Sequence, residues 1–149
     1  MGQTDSESDV LRAALGREDG SWAREHLERD VVGWITTVAP DGTPQSSVIS
    51  FFWDGDSIFF YSRPNTPKLR NIAHDPKVSF HLQSDAYGDH AFVIEGTADI
   101  DPSLPPADGH EAYAAKYREP LAHWEMDEAQ TARDFSVPIR ISPTRVRLE

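Results

Sequence analysis

The hydrophobic rhythm of the chain changes twice. Over residues 1–30 apolar positions recur at helical spacing. Val10, Leu11, Ala14 and Leu15 share one face, and Trp22, Ala23, His26 and Leu27 rebuild it after a break at Gly20. From residue 31 the pattern turns β-like. The runs VVGWITTV, QSSVISFFW and SIFFYS are β-branched and aromatic, and APDGTP and DGD separate them. Asp-Gly between two β-rich runs is a strong hairpin signal, and it occurs at Asp41-Gly42 and at Asp54-Gly55. The pattern predicts three antiparallel strands in a meander over 31–38, 44–53 and 57–62.

The helical rhythm returns briefly. A short helix is predicted over 67–74, with Thr66 as N-cap, Pro67 at its first position, Leu69 and Ile72 facing inward, and Asp75-Pro76 closing it. Strands follow at 78–83 and 90–101, and Gly96 inside the second marks a bulge or a close backbone approach. Residues 109–134 read as helical, with Tyr113 and Tyr117 four apart and Leu121, Trp124 and Ala132 further on. Residues 137–149 end the chain as a strand that Pro143 bends.

These elements predict one mainly β domain over 1–149: an N-terminal helical segment (1–30), a barrel core (31–101), a helical insertion (109–134) and a C-terminal strand (137–149). Without βαβ alternation a parallel doubly wound sheet is excluded. Six antiparallel strands closing into a small barrel with peripheral helices leave no exposed edges.

Composition narrows the chemistry. With no cysteine, thiol nucleophiles, disulfides and cysteine-based metal sites are excluded. The net charge of −11 argues against nucleic-acid binding. No apolar run approaches a membrane span and the N-terminus is acidic, so a soluble cytoplasmic protein is expected. The six histidines lack zinc spacing; His81 and His90 are placed to meet across a hairpin. P-loop, dinucleotide and serine-hydrolase motifs are absent, so an enzyme of this sequence would borrow its chemistry from a cofactor, and no catalytic residue or metal ligand is assigned.

Charge is uneven. Residues 1–30 and 101–134 hold eight acids each, read as solvated helix faces. Residues 63–77 hold Arg63, Lys68, Arg70 and Lys77 against Asp75 alone. A basic turn beside Ser62, Thr66 and a helix start suits an anionic ligand; the plainer alternative is a solvated counterweight to the acidic helices.

Residues 31–83 resemble the core of the pyridoxamine 5′-phosphate oxidase-like split-barrel family. The shared pattern is Asp41-Gly42-Thr43-Pro44, Tyr61-Ser62, Lys68, Asn71, Asp75-Pro76 and Val78, and VIEGTADI at 93–100 continues it. The resemblance implies a split β-barrel, a homodimer and a flavin or deazaflavin. The short chain is similar to the branch that uses the deazaflavin coenzyme F-420. Flavin enzymes of the family carry R-x-V-L-L-K on the second strand, whose Arg and Lys bind FMN; here those positions are Gln45 and Ser50.

By the resemblance, Ser47, Val48, Ile49 and Ser50 would lie along the cofactor ring. Tyr61 and Ser62 would approach its phosphate-bearing chain, and Lys68 would pair with that chain, with Arg63, Arg70 and Asn71 nearby. The expected function is an F-420-dependent oxidoreductase passing a hydride to a small conjugated substrate. Two alternatives stay open: an FMN-binding oxidase or reductase of the family, and a non-catalytic flavin- or haem-binding split barrel with His81 or His90 as axial ligand.

Overall fold

The computed structural model describes the backbone of residues 3–149 and the side chains of residues 9–149. The helices are α1 (Gln3–Gly16), α2 (Ser21–Arg29), α3 (Pro67–His74), α4 (Glu111–His123) and α5 (Glu128–Asp134). The strands are β1 (Val32–Val38), β2 (Pro44–Ser50), β3 (Phe52–Trp53), β4 (Ile58–Ser62), β5 (Lys77–His81), β6 (Phe92–Ile100) and β7 (Val137–Leu148). They form one antiparallel sheet in the order β2-β1-β5-β6-β7-β4-β3.

The fold is the mainly β split barrel expected, with seven strands in place of six. The difference lies at Phe51. The run 44–53 is two strands: β2 pairs with β1, whereas β3 pairs with β4 at the opposite edge of the sheet. Because β2 and β3 are separated by one residue, the two edges must lie close together, and the sheet curls on itself. The meander therefore breaks at its second strand, although both Asp-Gly turns stand where expected. Gly42 and Gly55 take φ of 90° and 101°, which a side chain disfavours.

Phe51 joins neither ladder because other elements claim its backbone. Its N–H donates to the Tyr117 hydroxyl (2.8 Å) and its carbonyl accepts from Lys116 Nζ (2.9 Å). The Tyr117 hydroxyl in turn donates to the carbonyl of Val31 (2.6 Å), so α4 ties the seam of the barrel.

Two apolar clusters share β4, all five residues of which are buried. Ile58 and Phe60 point into the barrel with Ile35, Phe51, Phe80, Ile94 and Ile139; Leu11, Leu15, Ala23 and Leu27 close that core from α1 and α2. Phe59 and Tyr61 point outward into a second cluster with Tyr113, Tyr117 and Ala132 of α4 and α5. Both faces of β4 are thus covered within one chain.

At Gly96 the register shifts against β7: Glu95 pairs with Arg145 and Gly96 with Pro143, so the extra residue is Thr144 of β7 and Gly96 is the close backbone approach opposite that bulge. A Cβ at Gly96 would stand 2.1 Å from the carbonyl oxygen of Ser142. Among the described residues no helix is long and apolar enough to cross a membrane.

Candidate functional site: an apolar cavity between the barrel and α4–α5

A cavity of about 410 Å³ lies between the outer face of the barrel and the α4–α5 hairpin. The barrel side is Val32, Val48, Ile49, Ser50 and Tyr61, with Lys68 entering from α3. The cover is Tyr113, Ala114, Tyr117 and Leu121 of α4, Trp124 and Met126 of the connecting turn, and Thr131, Ala132 and Phe135 at α5. Ala107, Asp108 and Glu128 complete it.

Local sequence explains the cover. Tyr113, Tyr117 and Leu121 fall at successive i+4 positions, so one face of α4 looks into the cavity. The helix ends in a Schellman motif: Glu125 N–H donates to Ala122 O (3.1 Å) and Met126 N–H to Leu121 O (2.9 Å). That motif needs a left-handed residue, and Glu125 supplies it at φ 56° where glycine is usual. The strained turn presents Trp124 and Met126 at the cavity mouth, 39% and 37% exposed, across from Val48 at 49%.

On the barrel side, α3 begins as expected: Thr66 caps it by accepting from Leu69 N–H (3.4 Å), with Pro67 in its first turn. This places Lys68 half-buried against the cavity. Among the described residues no carboxylate lies within salt-bridge distance of it and no hydrogen bond holds it. Burial alone lowers its pKa from the ordinary lysine value. An unpaired, partly desolvated ammonium at an apolar cavity is chemically able to pair with an anionic group.

Five of the ten sequence-predicted residues meet here: Val48, Ile49, Ser50, Tyr61 and Lys68. The others do not line the cavity. Ser47 is half-buried on β2, one residue out of phase with Val48. Ser62 is buried and donates to the carbonyl of Arg63 (2.8 Å), bracing the α3 turn with Thr66 (3.2 Å). Arg63 lies over the Phe135 ring (4.6 Å) near Asp134 (3.9 Å), and exposed Arg70 donates to the carbonyl of Asn65 (2.6 Å). Asn71 is a buried strut: its Nδ2 donates to Thr37 Oγ1 (2.9 Å) and Gln45 Oε1 (2.8 Å). The basic turn thus contributes one ammonium to the cavity, not a cluster. The C-terminal Arg140 is likewise committed, to Asp101 (2.7 Å) and Asp54 (2.9 Å).

The histidine pair also separates. His81 stacks on Trp34 (6.3 Å) and His90 on Trp22 (5.5 Å), with His90 Nδ1 against Asp85 (2.8 Å). No histidine is among the described cavity residues, and no cluster of metal-ligating side chains occurs among the described residues.

What the sequence reading missed is the α4–α5 face. Its signal was present in the four-residue spacing of Tyr113, Tyr117 and Leu121, but only the packed structure shows what that face covers. Asp108 and Glu128, read as solvated acids, also reach the cavity.

The three tyrosines there differ in one respect. Tyr61 donates to the carbonyl of Pro105 (2.7 Å) and Tyr117 to that of Val31, while the Tyr113 hydroxyl has no hydrogen-bond partner among the described residues. Burial pushes Tyr61 up to about 12, and it raises Tyr113 and Tyr117 as well, so all three stay protonated at neutral pH.

Comparison with known proteins agrees with this architecture. A solved structure named F420 reductase is 29% identical, with a TM-score of 0.66, over 83% of this chain and 94% of that one. A Listeria innocua protein provisionally described as a pyridoxamine 5′-phosphate oxidase is 22% identical, with a TM-score of 0.63, over 86% of this chain and 95% of that one. An FAD-binding protein from Mesorhizobium loti is 18% identical, with a TM-score of 0.60, over 85% of this chain and 88% of that one. No functionally curated sequence matches. The family model described as pyridoxamine 5′-phosphate oxidase matches residues 22–148, and the chain belongs to that family.

Proposed function

We propose that the protein is a deazaflavin (coenzyme F-420)-dependent oxidoreductase acting on a small conjugated organic substrate. The observation that carries the reading is Lys68, an unpaired half-buried ammonium beside an otherwise largely apolar cavity floored by β2. The residues present suit such a ligand. Val48 and Ile49 offer an apolar surface to a flat ring system, and Lys68 can pair with an anionic group on the attached chain.

Where the family's flavin enzymes place a phosphate-binding arginine, Gln45 is a neutral amide already accepting from Asn71. Where they place the lysine, Ser50 is neutral. Both points favour F-420 over FMN, and the similarity to the F420 reductase adds to them. The haem alternative loses support because His81 and His90 lie away from the cavity lining.

When bound, the deazaflavin would supply the hydride. The chain's own part is to bind, orient and shield. Lys68 fixes the anionic tail, and β2 holds the ring plane. Leu121, Trp124, Met126 and Phe135 limit water in the cavity, which strengthens every polar contact made there. A second copy of the chain would cover Val48 at the open mouth, so a homodimer belongs to the same proposal. Sedimentation at micromolar concentration tests the dimer, and a 17 kDa species alone would refute it. Titration of the purified protein with F-420 and with FMN tests the cofactor: saturable binding of F-420 in clear preference to FMN is expected, and the reverse order would refute the reading.

A further inference from the structure

A second, open cleft of about 550 Å³ lies between α2, β3 and α4, and it shares no lining residue with the cavity described above. Ala112 and Lys116, four apart on α4, face it together. Leu27 of α2 and Phe52 and Trp53 of β3 give it apolar walls, and Glu28 and Asp54 are its acids. Trp53 also carries an unused donor, because its Nε1 is buried without a hydrogen-bond partner among the described residues.

Lys116 is the amine of this cleft. Its Nζ donates to the Phe51 carbonyl (2.9 Å) and lies 4.0 Å from the centre of the Phe51 ring and 5.2 Å from that of Tyr117. These contacts fix the nitrogen without neutralising it. Asp30 acts on it only through space and is itself held by His26 (3.0 Å). Asp54 is taken up by Arg140 (2.9 Å) and by the N–H groups of Asp56 (3.0 Å) and Ser57 (2.9 Å). Tyr117, raised by burial, stays protonated. Burial therefore outweighs Asp30 and brings Lys116 down to about 8, so about a tenth of it is neutral at pH 7 and about half at pH 8.

We propose that Lys116 is a covalent capture site for uncharged, flat apolar aldehydes, which it holds as an imine in the α2–β3–α4 cleft. The Nζ lone pair adds to the aldehyde carbon. A C–N double bond forms, the C=O bond breaks, and the oxygen leaves as water with the two amine protons, so nothing is oxidised or reduced. A proton from solvent then gives the iminium, whose N–H can keep the bond to Phe51 and whose charge stays over the Phe51 ring. The neighbours decide the class. Carbon dioxide would leave a carbamate, and an acidic aldehyde a carboxylate or phosphate, each facing Glu28 and Asp54. Leu27, Phe52 and Trp53 favour an apolar ring instead.

The chain has three lysines, Lys68, Lys77 and Lys116, so peptide mass mapping assigns every modified one. The full chain is incubated at about pH 7.5 with benzaldehyde or with glyoxylate, and imines are locked as secondary amines with sodium cyanoborohydride. Exposed Lys77 is the reference. At that pH Lys116 holds about 100-fold more neutral amine than an ordinary lysine. Benzaldehyde should therefore label Lys116 at least about tenfold faster than Lys77, and glyoxylate should show a much smaller preference. The benzaldehyde preference should shrink towards about pH 10, where Lys77 also becomes neutral. Lys116→Arg, checked for folding by circular dichroism, keeps a cation and a donor but no nucleophilic amine; it should lose the fast label and leave Lys77 unchanged. Equal labelling of Lys116 and Lys77 in the wild type, or as strong a preference for Lys116 with glyoxylate as with benzaldehyde, would overturn the proposal.

Discussion

Removing the Tyr117 hydroxyl should unfasten the barrel seam without disturbing the ring that lines the cavity. In Tyr117→Phe the side chain keeps its contact with Tyr113, whose ring centroid is 4.7 Å away. What disappears is an acceptor for Phe51 N–H (2.8 Å) and a donor to Val31 O (2.6 Å). Phe51 has no exposure at all, so its N–H has no water to turn to. An orphaned buried donor costs roughly 1–3 kcal/mol, and the Val31 bond adds about 0.5–1.5 kcal/mol. A total near 2–4 kcal/mol lowers the melting temperature of a chain this size by roughly 4–16 °C, at about 2–4 °C per kcal/mol. Thermal and urea unfolding followed by circular dichroism measure it. The comparison is Tyr61→Phe, which removes one bond to Pro105 O at a more hydrated site and should cost about 1 kcal/mol. If Tyr117→Phe were no more destabilising than Tyr61→Phe, the seam would not depend on α4, and the account of why β2 and β3 separate would be wrong.

Three further outcomes follow from the same structure. Burial lowers the pKa of Lys116 to about 8 against an ordinary 10.5, partly offset by Asp30. Between pH 8 and 10 the unfolded chain then holds more protons than the folded one, so wild-type stability should rise with pH relative to Lys116→Met, by up to about 1–3 kcal/mol. Urea titrations at several pH values read this, and a pH-independent difference between the two proteins would contradict it. Gly96→Ala forces a Cβ onto the Ser142 carbonyl and should cost about 1–3 kcal/mol or more, seen as a lower melting temperature; an unchanged one would show that the bulge relaxes freely. Glu125→Gly relieves a left-handed residue in the Schellman turn and should stabilise by about 1 kcal/mol, whereas a loss of stability would place the Glu125 side chain in a contact of its own.

Much of the barrel was legible because its signals are local. The two Asp-Gly turns, the Thr66 cap with Pro67, and Gly96 each encode a backbone conformation that few other residues adopt. The break at Phe51 was not legible. The run from Pro44 to Trp53 is evenly β-like, and its division is imposed by Tyr117 and Lys116, more than sixty residues away. The candidate site divides in the same way. Val48, Ser50, Tyr61 and Lys68 follow from strand phase and from the start of α3. Arg63 and Arg70 are long exposed side chains, and their partners, Asp134 and the Asn65 carbonyl, are decided by tertiary placement. Asn71 looks like a ligand-binding amide in sequence, yet burial converts it into the link between α3 and strands β1 and β2. The tyrosine face of α4 has a clear period, but a period does not say which surface it covers.

The measurement that bears most directly on the cavity as a deazaflavin site is calorimetric titration of F-420 into the wild type and into Lys68→Ala, with melting curves to confirm that the variant is folded. A charge-assisted contact is worth roughly 1.5–3 kcal/mol, so the variant should bind F-420 about 10- to 150-fold more weakly. Ser47→Ala, which lies outside the cavity lining, should change affinity far less. Equal affinity for Lys68→Ala and the wild type, or no binding of F-420 to either, would contradict the account and return the basic turn to a solvated counterweight for the acidic helices.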